Sequence, residues 1–104
     1  MLNLKSVAVS FLILLQSINI ALAEGSPSSG QEIAIKWCST CHLVTDGQTS
    51  ASADVPTFKS IAEKYENEVD ALVKFLIEPH PPMPDLSLTR REIQDLIAYL
   101  DSLE

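Results

Sequence analysis

Two cysteines and a histidine stand together in Cys38-Ser39-Thr40-Cys41-His42, the densest gathering of reactive side chains in the sequence. Two intervening residues at the end of a helix set both thiols on nearly one face, about as far apart as the two vinyl groups of a haem. The next residue then projects an imidazole toward the iron. This spacing points to covalent attachment of one haem c through Cys38 and Cys41, with His42 as an axial iron ligand. Three other chemistries use the same residue types. A redox dithiol sits on a βαβ framework, and no segment here reads as a strand. A zinc site needs four ligands, for which Cys38, Cys41, His42 and His80 are available, but a second paired ligand motif is missing. A disulfide across two residues would close too small a loop to stabilise much.

A low-spin iron that carries electrons takes a second axial ligand opposite His42. Beyond the N-terminal leader described below, the chain offers one methionine, Met83, and one further histidine, His80, both in His80-Pro81-Pro82-Met83-Pro84. Met83 lies between prolines in a segment destined for the surface, where a lone methionine has no packing role. A thioether is a soft ligand that favours reduced iron, so His/Met ligation raises the potential above that of a bis-histidine iron. Met83 is therefore the expected partner of His42, and His80 is expected to be an exposed loop residue.

Four helices are expected to position these groups, giving an all-α fold. Ser29-Gly30-Gln31-Glu32 has the form of a capping box opening a first helix at about Gly30, in which Ile33 and Trp37 share a face. Residues 43–55 are rich in Thr, Ser, Asp, Gly and Ala without periodicity, and read as a loop lying over something else. Pro56-Thr57 opens a second helix with Phe58, Ile61, Ala62 and Tyr65 on one side. Asn67 can cap a third, in which Val69, Leu72, Val73 and Leu76 repeat and which Pro79 stops. The prolines that follow should hold 80–84 as an extended strap. Thr89-Arg90-Arg91-Glu92 is a second capping box, with Leu88 and Ile93 as a hydrophobic staple, and Leu96, Ile97 and Leu100 continue the buried face. Every apolar residue named in these helices, both tyrosines and Phe75 included, is expected in the core.

The leader Met1–Ala23 carries one lysine, an apolar run from Val7 to Leu15 and Ala21-Leu22-Ala23 as a small-x-small cleavage site. It reads as a Sec-type secretory signal, interrupted by polar residues before it reaches the ~20 apolar residues of a spanning helix. The domains are then 1–23, signal peptide, and 24–104, one folded unit, with export to the periplasm expected. The chain has 7 Lys and Arg against 14 Asp and Glu, a formal charge of -7. Lys5 leaves with the leader, so six bases face fourteen acids and the charge becomes -8. That balance excludes a general nucleic-acid binder and suits redox partners with basic docking surfaces. Glu63, Glu66, Glu68 and Asp70 form the densest acidic run.

From Gly30 to Leu103 the sequence resembles the small monohaem class I cytochromes c of bacteria. Gly30 stands eight residues before Cys38, where that family has a small residue so that its first and last helices cross closely. Leu96-x-x-Tyr99 is similar to the family's partner for that crossing, and Met83 in Pro82-Met83-Pro84 matches its axial methionine. The resemblance also implies that Pro56 supplies the carbonyl that hydrogen-bonds the ligating histidine. Ala34, four residues before Cys38, departs from the aromatic common there. The resemblance implies four short helices around one haem c in a monomeric, soluble one-electron carrier that is not an enzyme and is not inserted in the membrane after cleavage. The alternative is a cytochrome subunit bound to one dehydrogenase or oxidase, anchored by an uncleaved N-terminal helix. A haem enzyme or gas sensor would require that Met83 not ligate.

Overall fold

The computed structural model describes residues 25–78 and 80–104; the expected leader and the stop at Pro79 lie outside them. Four helices follow in order: α1 Pro27–Trp37, α2 Phe58–Lys64, α3 Val69–Ile77 and α4 Arg90–Asp101. Among the described residues the only β pairing is an isolated bridge between His80 and Met83.

Helix α1 starts earlier than the Ser29 box suggests. Ser26 is its N-cap, with Oγ accepting from the Ser29 N–H at 3.3 Å. Pro27 occupies the first turn, where its missing N–H costs nothing and its fixed φ suits the helix. The Ser26 N–H in turn donates to Asp95 Oδ1 of α4 at 2.8 Å. Tertiary contact therefore selects Ser26 over Ser29 as the cap.

The buried stripe of α1 is Gly30, Ala34 and Cys38, at i, i+4 and i+8. These are small residues, so α1 lies almost on the backbone of α4, and this pair shares the most extensive contact in the fold. A Cβ added at Gly30 would sit 1.9 Å from the Asp95 carbonyl oxygen and 2.8 Å from the Tyr99 Cβ. One at Gly25 would lie 2.2 Å from the Gln94 carbonyl oxygen. The close crossing expected at Gly30 is thus present, and Ala34 is fully buried within it. Trp37 does not join this face. It is half exposed, with Lys36 Nζ 5.1 Å from its ring centroid, while Ile33 packs at the edge of the core.

Helix α4 follows its sequence closely. Thr89 Oγ1 accepts from the Glu92 N–H at 3.1 Å, and Glu92 Oε2 accepts from the Thr89 N–H at 2.7 Å, completing the capping box. Ile93, Leu96, Tyr99 and Leu100 are buried, with Leu88, Ile97 and Leu103 packed beside them. Asp95 is also buried, held by Ser26 and by Arg91 Nε at 3.2 Å.

In α2, Thr57 caps with Oγ1 to the Ser60 N–H at 3.1 Å, and Phe58 and Ala62 face inward. Helix α3 begins after Glu68 without a side-chain cap. Asn67 is not the cap because the chain still turns there, the Glu68 N–H bonding the Tyr65 carbonyl at 2.9 Å. Leu72 is buried and Leu76 packs on the core, but Val69, Phe75 and Ile77 stay exposed, so the expected core placement of Val69 and Phe75 does not hold. The proline segment is a tight turn, not an extended strap. The Met83 N–H bonds the His80 carbonyl at 2.9 Å, and the Pro81–Pro82 peptide is cis. From there Leu86 and Leu88 lead the chain back along the core into α4.

Candidate functional site

The two thiols stand where α1 ends. Cys38 is the C-cap, its N–H still bonded to the Ala34 carbonyl at 2.9 Å. Its own carbonyl then accepts from the Cys41 N–H at 3.2 Å and the His42 N–H at 2.9 Å. One carbonyl thus gathers both thiols and the imidazole into a single turn. Both cysteines are free; Cys38 is buried and Cys41 exposed. Burial pushes the Cys38 thiol up to about 11. A dithiol oxidoreductase needs the opposite shift, toward a thiolate at neutral pH.

His42 is oriented from two sides. Its Nδ1 lies 2.6 Å from the Pro56 carbonyl oxygen. A carbonyl only accepts, so Nδ1 carries the hydrogen and Nε2 keeps a free lone pair, the tautomer a metal ligand requires. Phe58 meets the imidazole edge-on, with ring centroids 5.6 Å apart and planes at 64°. Phe58 is in turn set by its N–H to the Leu43 carbonyl at 2.9 Å and by Tyr99, 6.3 Å away. The Pro56 carbonyl therefore plays the part that the resemblance assigned to it.

Sequence reasoning missed the side chain that shapes the loop after His42. Gln48 Oε1 accepts from the Val44 N–H at 2.9 Å. Its Nε2 donates toward the carbonyls of Ser39 and His42, each at 2.8 Å, and of Ser50 at 3.0 Å. The amide clamps both sides of the cysteine-histidine turn to the loop. The Ser52 N–H adds a bond to the Cys41 carbonyl at 3.1 Å, and the Tyr99 hydroxyl donates to the Val44 carbonyl. A signal existed: Gln48 is the only amide side chain between residues 43 and 55.

Met83 is half-buried in its own turn, apart in sequence from the other three groups. His80 is also half-buried rather than free on the surface, with its ring against Phe75. Among the described residues no three His, Cys, Asp or Glu side chains converge as a zinc ion would need. The donor set instead fits haem c: two unpaired thiols at the attachment spacing and an imidazole with Nε2 free.

Comparison with known proteins agrees with this chemistry. Residues 25–100 match the family model described as cytochrome C oxidase, cbb3-type, subunit III. Cytochrome c-552 of Bradyrhizobium diazoefficiens is 42% identical over 98 residues, which cover 86% of this chain and 94% of that protein. No solved structure matches the chain.

Proposed function

The chain belongs to the cytochrome c family, so it carries covalently attached haem c and transfers electrons, and on that premise we propose that it is an exported, soluble one-electron carrier with His42 and Met83 as its axial ligands. Haem c supplies the Fe(III)/Fe(II) couple. Cys38 and Cys41 hold the group by thioether bonds, which fixes its orientation against the turn. Pro56, through its carbonyl, keeps the His42 ring in the ligating tautomer and makes its Nε2 more electron-rich. Met83 would be the second side chain to hold the iron, and its soft thioether would raise the potential and leave no ligand place for a substrate.

The hydrogen bond from His42 to Pro56 carries this reading most, because it prepares the imidazole for a metal and for nothing else nearby. Exposure of the reduced protein to carbon monoxide at neutral pH tests it. A carrier with both axial positions filled shows no spectral change; rapid and complete binding would make the protein a haem enzyme or gas sensor instead.

Export to the periplasm is supported by the leader Met1–Ala23 and its cleavage site. Among the described residues no helix is long and apolar enough to cross a membrane. The acidic charge suits partners with basic docking patches, met through small, salt-sensitive interfaces, with the chain acting as a monomer. The description of the matching family favours a second reading, a subunit held by an oxidase complex. Cell fractionation separates the two, since a freely released periplasmic haem protein contradicts the tethered form.

A further inference from the structure

The turn that carries Met83 has little backbone with which to hold itself in place. Pro81, Pro82 and Pro84 have no N–H, and the N–H of Met83 closes on the carbonyl of His80 at 2.9 Å, inside the turn. That bond shapes the turn without fastening it to the rest of the protein. The His80 side chain provides the fastening. Its ring centroid lies 3.7 Å from that of Phe75, with the planes at 42°. Its Nδ1 faces the Glu78 carbonyl at 3.1 Å and, since a carbonyl only accepts, donates to it. Phe75 belongs to α3 and lies 6.4 Å from the ring of Tyr65, which packs on the core at the end of α2. A row of three rings therefore runs from the core, across α3, to the residue whose carbonyl closes the methionine turn.

We infer that His80 and Phe75 are positioning residues that hold the Met83 thioether at the iron, with His80 acting through its ring face and not as a ligand. This rests on the His42/Met83 ligation proposed above. An unfastened turn spends more time open, and an external ligand then reaches the iron in proportion to the open fraction. It also accounts for two features left over from the fold: a half-exposed Phe75 and a histidine that is neither ligand nor free.

Imidazole titration of the ferric holoprotein, followed by its visible spectrum, reads that open fraction. His80→Ala and Phe75→Leu should each tighten imidazole binding roughly three- to tenfold, the range expected for loss of an aromatic contact. The double variant should go little beyond the stronger single, because both remove one contact. His80→Phe and Phe75→Tyr keep the rings and should stay near wild type. Because phenylalanine cannot ligate, the first of these also separates stacking from coordination. Ile35→Ala, an exposed apolar change on α1, should have no effect, and Met83→Ala sets the upper limit. If Met83→Ala tightens binding strongly while His80→Ala and Phe75→Leu match wild type, the anchor is overturned and the ligation stands. If Met83→Ala itself matches wild type, the ligation falls and the anchor with it.

Discussion

Gln48 shows how much of the cysteine-histidine turn is held by a side chain that is neither thiol nor imidazole. Its Nε2 faces three carbonyl oxygens and its Oε1 one N–H, so its chemistry is fixed by what surrounds it and not by its size. Gln48→Leu should lower stability by about 1 kcal/mol, since half-buried backbone groups lose their partner. Gln48→Glu, nearly identical in shape, should be worse. A carboxylate there turns an oxygen toward those carbonyls, and the deficit should shrink on acidification as protonation returns one donor. Denaturant unfolding of the holoproteins at two pH values checks the order; equal stability of Gln48→Glu and wild type at neutral pH would contradict the clamp. Cys38, Cys41 and His42 were legible because their meaning lies in local spacing. Gln48 was not, since its partners are main-chain groups that any sequence supplies, and only the folded loop brings them together. Pro56 became legible through resemblance alone, and the 2.6 Å bond to His42 gives it a physical reason.

At the scale of elements, the crossing of α1 and α4 is the joint on which the site depends, because α1 ends in Cys38 and α4 presents Tyr99. Gly30→Ala would place a methyl 1.9 Å from a backbone oxygen, which no rotamer change relieves. Its cost should reach or exceed the ~1–3 kcal/mol usual for overpacking, read as a lowered unfolding midpoint; an unchanged midpoint would mean that the helices are farther apart. Tyr99 ties α4 to the loop through the Val44 carbonyl. Burial, and next the charge of Asp46, hold its hydroxyl above the ordinary value of 10.0. A raised folded value means that the stabilisation is complete below the unfolded tyrosine value of about 10 and is lost as pH climbs through it toward the folded one. Tyr99→Phe should therefore be less stable than wild type by about 1 kcal/mol at neutral pH, and the gap should close in alkali. A gap constant from neutral to strongly alkaline pH would contradict this.

The same elements show where a capping pattern suffices. The Thr89 box was readable because both of its bonds are local. The Ser29 box was displaced by Ser26 and Pro27, because Asp95, sixty-nine residues from Ser26, takes the Ser26 N–H. Trp37 was misplaced for a related reason: α1 buries its smallest residues, so that helix contact is made by backbone and the large side chains move to the rim.

Taken whole, the chain gathers a metal-binding turn, a methionine turn and an aromatic row around a core of short helices. The fold class, the attachment motif and the last helix could be read from periodicity and spacing. The shape of the methionine turn could not, because prolines exclude a helix without specifying which non-helical path replaces it. A formal charge of -7 suits the basic partners proposed above, and the proposed iron ligands, His42 and Met83, lie in separate turns. The most direct test is a redox titration of the purified holoprotein beside Met83→Ala, with the visible spectrum followed throughout. Wild type should give a reversible one-electron curve and a ferric sulfur-to-iron band near the red end of the spectrum. In Met83→Ala the band should be lost and the midpoint lowered. Identical spectra and midpoints in the two proteins would contradict it.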